Sequence, residues 1–322
     1  MTAAPDVEAL VERARAGDAR SVARLISLVE DAHPAVREVM AALSAYAGKA
    51  TVIGLTGPPG VGKSTTTDAL VTAFRTQRKR VGVLAVDPTS PFSGGALLGD
   101  RVRMQAHALD REVYIRSMAT RGHLGGLSFA APQAVRVLDA AGCDVVLVET
   151  VGVGQSEVEV AGTADTTVVL LAPGSGDAVQ AAKAGILEIG DVYVVNKADR
   201  DGAASTVREL QHMLSLADRA EPDAWTPPVL TTIASRGVGV GELLDALSAH
   251  RSHQQRTGGL QVRRLSRAAG EVEAIALTSV RARVSASSGD GSALLNRLAG
   301  DVVEGRLDPY AAADVLLAAL AT

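Results

Sequence analysis

Seven short apolar runs, rich in Val, Ile and Leu and closed by Gly, Pro, Asp or Glu, punctuate the chain at 51–55, 81–87, 113–117, 144–149, 166–173, 191–195 and 228–234. Unbroken runs of this length predict strands buried on both faces, as in a parallel sheet. Helical spacing separates them, notably after the first run (65–71), over 178–189 and from 240 to about 252. Before the first strand, Leu10 and Ala14, then Val22, Leu25, Ile26 and Val29, recur at helical intervals. Gly17-Asp18 breaks and recaps that pattern, and Pro34 opens a further helix. Beyond 253 only helical spacing remains: Leu265, Ala269, Val272, Ile275 and Ala276, a break at 285–291, then Leu294, Leu295, Leu298 and Val302. Asp308-Pro309 caps a last helix ending near Leu320. The expected fold is α/β: a mainly parallel sheet flanked by helices over 49–253, an N-terminal helical extension over 1–48 and a C-terminal one over 254–322. Gln254 to Gly259 reads as a linker.

Aromatics are only 2% of the 322 residues against 47% apolar, so Ala, Val, Leu and Ile must fill the core. The net charge of −4 comes from interspersed signs, without a basic block or aromatic platform, which argues against nucleic-acid binding. No apolar run could span a bilayer and the amino terminus has no basic-then-apolar leader, so a cytoplasmic protein is expected. The single cysteine, Cys143, rules out an internal disulfide and reads as an inert thiol at a strand entrance.

Chemistry concentrates after the first strand, in Gly57-Pro58-Pro59-Gly60-Val61-Gly62-Lys63-Ser64-Thr65. A strand feeding a glycine-rich turn that opens a helix aims backbone N–H groups and the positive helix end at one point, where a phosphate binds. The glycines admit the phosphates closely, Lys63 reaches the β and γ oxygens, and the Ser64 hydroxyl suits Mg²⁺. A plain strand-to-helix turn would need no lysine and serine at these places. The motif calls for a nucleoside triphosphate on a P-loop NTPase.

Two later strands end in carboxylates, Asp87 and Glu149, and ligands of parallel sheets gather at carboxyl strand ends. Both are candidate metal-site residues, with a plain cap as the alternative for Asp87. Asp100 either joins them from its Pro/Ser/Gly loop or caps a helix starting at Arg101. Gly152, just after Glu149, has the position of a glycine that donates its N–H to a γ-phosphate. The next residue is Val153, where signalling GTPases carry a water-positioning glutamine, so intrinsic hydrolysis should be slow. Gln155 is displaced from that place. Arg121 and His123 sit on a glycine-rich loop without an assigned role. From chemistry alone, Lys183 is a solvated helix-face lysine.

The sixth strand delivers Asn196-Lys197-Ala198-Asp199. Asp199 can accept from guanine N1–H and its 2-amino group, a donor pair adenine lacks; Lys197 can lay its stem along the base, and Asn196 can tie the loops together. The Ala234 N–H, after the last strand, has the position that meets guanine O6. The expected nucleotides are GTP and GDP.

Taken together, GPPGVGKST, VDPTSPFSGGALLGDRVRM, RSMATRGHLGGLS, VETVGVGQSE, the 180–188 helix, NKAD and GRLDPYAAADVLL resemble, in order, the methylmalonyl-CoA-mutase-associated GTPases of the MeaB/ArgK type. The resemblance runs from the N-terminal helices to the end of the chain. It implies a Mg²⁺-dependent GTPase that is a homodimer through its helical extensions. It also implies a chaperone of an adenosylcobalamin-dependent acyl-CoA mutase, by implication methylmalonyl-CoA mutase, that gates cofactor loading and protects against inactivation. Position by position, Asp87, Asp100 and Glu149 match the family's Mg²⁺ and switch carboxylates, and Lys183 a mobile-switch lysine. Two alternatives share the architecture. A GTP-dependent metallochaperone would want Cys or His clusters, and a small-molecule kinase or transport-linked ATPase would have no use for Asp199.

Overall fold

The computed structural model describes residues 5–87, 105–107, 109–119, 130–150, 162–174, 185–216, 223–285 and 290–320. The predicted runs form seven strands: β1 (Thr51–Thr56), β2 (Val81–Asp87), β3 (Val113–Ala119), β4 (Val145–Thr150), β5 (Thr166–Leu171), β6 (Val192–Asn196) and β7 (Val229–Thr232). They lie in the order β3-β2-β4-β1-β5-β6-β7, and every pairing within the sheet is parallel. The α/β reading of the apolar runs therefore holds.

Alternation along the strands decides what each face buries. Leu84, Val86, Val146 and Val148 point to one side, into a core shared with α1 (Val7–Arg15), α2 (Ala19–Glu30), α3 (Val36–Leu43) and α5 (Ala130–Ala140). Their neighbours Val83, Val145 and Leu147 point the other way, against α4 (Lys63–Thr76) and α7 (Val240–Thr257). A smaller cluster packs Leu210 of α6 (Ala203–Ser215) on Val169, Leu171, Tyr193 and Val195. The N-terminal helices are thus built into the sheet's own core. Arg116 of β3 binds them from below, donating to Glu30 at 2.7 Å and Ser27 at 3.0 Å.

Strand starts follow a repeated device. Asp144, Asp165 and Asp191 each stand immediately before a strand, and each accepts the backbone N–H of an adjacent segment: Arg80 at 2.8 Å, Val52 at 3.1 Å and Thr167 at 2.8 Å. Asp139 does the same for Gly48, Lys49 and Ala50. Two adjacent arginines then lock the row. Arg263 grips Asp191 through both terminal nitrogens at 2.6 and 2.9 Å, and Arg264 grips Asp165 at 2.7 and 3.1 Å. Fully buried His250 places Nε2 3.3 Å from Asp191 and Nδ1 2.8 Å from the Thr166 hydroxyl, while the Trp225 indole donates to the Asp191 carbonyl at 2.7 Å. Burial alone would raise the Asp191 pKa; the bonds from His250 and Arg263 outweigh it and bring it down to about 2. Cys143 is buried, and that burial pushes its thiol well up, in keeping with an inert group.

One expectation needs correction. The segment read as a linker, 254–259, is helical except for one residue: α7 ends at Thr257, Gly258 turns left-handed at φ +77°, and α8 (Gly259–Ser285) begins at once. Polar composition suggested a spacer, whereas a glycine cap makes the turn. The chain divides into two compact units, one through Arg264 and one from Leu265. Within the second, α9 (Asp290–Val303) packs on α10 (Pro309–Leu320), burying Leu298 and Ala312. Val272, Leu277, Tyr310 and Leu317 of that unit are exposed. Among the described residues no helix is long and apolar enough to cross a membrane.

Candidate nucleotide site

Parallel pairing brings the carboxyl ends of the strands to one edge. Leu55 of β1 is level with Glu149 of β4, and Glu149 with Ala85 of β2, so Asp87 closes β2 two residues further along the same edge. Asn196 at the end of β6 is level with Thr232 of β7. The loop from β1 to α4 crosses this edge between them.

Two glycines in that loop are obligatory for physical reasons. Gly57 has φ +137°, and a Cβ there would fall on the Leu170 carbonyl; Gly62, the N-cap of α4, has φ +98°, and a Cβ there would fall on the Asn196 amide. Lys63 is buried at the helix start, its ammonium donating to the Gly57 carbonyl at 2.6 Å and the Pro58 carbonyl at 3.0 Å. Pro59, Gly60 and Thr65 are exposed, while Val61 is buried.

Glu149 is almost wholly buried, and α4 supplies it with hydroxyls from successive turns. Ser64 donates to Oε1 at 2.6 Å, and Thr67 donates to Oε2 at 2.9 Å. Thr67 escaped the sequence reading because a threonine inside a Thr-Thr-Thr run looks like ordinary helix filling. A serine hydroxyl can donate to a carboxylate and offer a lone pair to a cation at the same time, so this hard-oxygen pair fits Mg²⁺. Among the described residues no three His, Cys, Asp or Glu side chains gather as a metal set. Mg²⁺ commonly uses one or two carboxylates and completes its shell with phosphate and water, so two protein oxygens suffice.

Asn196 joins the two halves of the site. Its Nδ2 donates to the Val61 carbonyl at 2.9 Å; its Oδ1 accepts from the Thr232 hydroxyl at 3.0 Å and from the Ala234 N–H at 3.1 Å. The Ala234 N–H expected at guanine O6 is therefore directed at Asn196 here. Lys197 takes a left-handed backbone, φ +57°, and sends its ammonium to the Gly60 carbonyl at 2.5 Å. Asp199 is exposed, with Arg236 from the 3-10 turn after β7 at 3.8 Å. The structure thus brings Gly57 to Ser64, Glu149, Asn196, Lys197, Asp199 and Ala234 to one edge. Asp100, Gly152 and Lys183, with Arg121, His123 and Gln155, lie outside the described residues, and for Asp87 only the backbone is described.

Comparison with known proteins agrees with this geometry. The family model "Methylmalonyl Co-A mutase-associated GTPase MeaB" matches residues 22–289. A protein named as a GTPase from Pyrococcus abyssi is 47% identical over 314 residues, covering 97% of this chain and 96% of that one. GTPase ArgK of Escherichia coli is 38% identical over 258 residues, 78% of each chain. A crystal structure titled LAO/AO transport system kinase superposes with a TM-score of 0.72 at 28% identity, covering 98% of both chains. A guanine-reading tetrad tied to a phosphate loop on a parallel sheet, matched by relatives named as GTPases, makes this chain a guanine-nucleotide-binding P-loop GTPase, and it belongs to the family of methylmalonyl-CoA-mutase-associated GTPases.

Proposed function

We propose that this GTPase is a chaperone of an adenosylcobalamin-dependent acyl-CoA mutase, methylmalonyl-CoA mutase first, using its nucleotide cycle to gate cofactor loading and protect the mutase from inactivation. The observation that carries the reading is the match of 22–289 to a family named for its association with that mutase, combined with an edge that gathers the phosphate loop and the Asn196 to Asp199 tetrad. Ser64 and Glu149, with Asp87 and Asp100, would hold Mg²⁺, which neutralises charge developing on the transferred phosphoryl group. Lys63 holds its ammonium at the phosphate loop, and Asn196 fixes the loop against the base reader. Gly152 would present its N–H to the γ-phosphate, and Lys183 would move with the switch.

The further layout follows the same reading: a cytoplasmic homodimer, with 1–48 as N-terminal extension, 49–253 as GTPase domain and 254–322 as the dimerising extension. Exposed Val272, Leu277, Tyr310 and Leu317 support it, because large apolar side chains left in water on one small helical unit favour an occupant.

The deciding experiment is single-turnover GTP hydrolysis with and without the mutase, for wild type and Lys183→Ala. Val153 in place of a water-positioning glutamine leaves the chain slow alone, and partner stimulation should fall short of the about 10³ to 10⁵ of arginine-finger systems. Lys183→Ala should keep basal turnover and lose most of that stimulation. Absence of stimulation by any such mutase would overturn the chaperone reading; equal stimulation of both proteins would return Lys183 to a solvated helix face.

A further inference from the structure

We propose that Thr67 is a positioning residue for GTP hydrolysis: it sets the orientation of the Glu149 carboxylate, and through it the affinity of the site for a divalent cation. The inference rests on the assignment of Glu149 to the metal site. Its basis is geometric. Ser64 and Thr67 stand three residues apart on α4, hence on one helix face, and each takes one oxygen of the same buried carboxylate, at 2.6 and 2.9 Å. Thr67 is itself fully buried.

A hydroxyl has one proton, and Thr67 has two acceptors within reach: Glu149 Oε2 and the Lys63 carbonyl one turn back at 3.0 Å. The second contact is the usual back-bond of a helical threonine. The carboxylate competes better, because a hydrogen bond to an ionised acceptor is about twice as strong as one between neutral groups. With the proton on Glu149, each carboxylate oxygen is held by its own hydroxyl, and rotation about the last side-chain bond is blocked. Oε1 then faces Ser64, the residue whose hydroxyl suits the cation. Without the Thr67 proton Oε2 loses this tether, and the carboxylate is freer to turn Oε1 away from Ser64. A loosened ligand lowers cation affinity, whereas the Gly57 to Lys63 cradle, which makes no use of Thr67 for its own bonds to phosphate, is unaffected.

The test compares Thr67→Val, which keeps shape and removes the hydroxyl, with Thr67→Ser, which keeps the hydroxyl. Glu149→Gln serves as reference. Mg²⁺ is titrated against each GDP-bound protein by calorimetry, GDP affinity is measured in EDTA, and GTP turnover is followed across Mg²⁺ concentration. Thr67→Val should weaken Mg²⁺ binding about 3- to 10-fold and shift the Mg²⁺ midpoint of turnover by the same factor, with GDP affinity in EDTA unchanged; Thr67→Ser should restore both. If Glu149→Gln weakens Mg²⁺ binding and Thr67→Val does not, Thr67 is helix filling and the proposal fails alone. If neither variant alters Mg²⁺ binding, the assignment of Glu149 fails and takes the proposal with it. A loss of melting temperature in Thr67→Val without a shifted Mg²⁺ midpoint also overturns it. No mutase enters any arm, so the outcome is independent of the chaperone reading.

Discussion

The two edges of the one sheet use the same functional group, a carboxylate, to opposite ends. At the amino edge Asp144, Asp165 and Asp191 meet backbone N–H groups, and two of them also meet guanidinium groups. At the carboxyl edge Glu149 meets two neutral hydroxyls. Backbone N–H groups and arginines satisfy a carboxylate within the fold itself, so the first set is suited to holding strands in place. Hydroxyls can share a carboxylate with a cation, so the second set keeps chemistry within reach. The expectation is that the partners of a strand-end carboxylate, rather than its burial, separate structural from functional use.

Substitutions at the two edges should therefore separate stability from turnover. The largest effect is expected at the amino edge. Asp191→Ala leaves Arg263 and His250 without their shared carboxylate, and breaking a buried pair in this way costs about 3 to 5 kcal/mol. Thermal denaturation should show a fall in melting temperature of roughly 10 °C, with GTP turnover of the folded protein within twofold of wild type at 25 °C. A loss of turnover with unchanged melting would erase the distinction. Next comes Glu149→Gln, which keeps size and an acceptor but removes charge: single-turnover hydrolysis should slow by about 10² to 10³, while GDP affinity and melting temperature change little. Unaltered hydrolysis would make Glu149 another strand-end cap.

The smallest effect is a pH limb that belongs to the amino edge. Asp191 has its folded pKa lowered from 3.8 to about 2, so its contribution is present in full above the unfolded value and is lost as pH falls through the folded one. A shift of nearly two pKa units corresponds to about 2 to 3 kcal/mol, and denaturant unfolding between pH 4 and pH 2 should record that decline. Asp191→Asn should flatten the limb. An equally steep limb in that variant would move the effect to other carboxylates.

Much of this was readable from residue order. Continuous Val/Leu/Ile runs gave away the parallel strands, because a strand buried on both faces has no polar alternation to hide behind. The glycine-lysine-serine loop and Asn196 to Asp199 were legible because their chemistry is local. The amino-edge lattice was not: Asp165 bonds Val52, 113 residues earlier, and Arg264, 99 residues later, so each residue looks like a plain loop charge until the sheet assembles. Thr67 was hidden for the same reason, its acceptor lying 82 residues away. The turn at Gly258 was misread because Gln-Gln-Arg-Thr is as compatible with a helix end as with a linker, and composition does not distinguish the two.

The bond from Asn196 to the Val61 carbonyl closes a span of 135 residues. On a ribosome adding about 5 to 20 residues per second, the phosphate loop waits on the order of ten seconds before its brace has been synthesised. The brace in turn is completed only when Thr232 and Ala234 have followed. A nascent chain thus carries the phosphate-binding motif long before it carries the site. Guanine nucleotide is consequently a late ligand in the life of the polypeptide, able to trap the finished domain by mass action but not to template its first half.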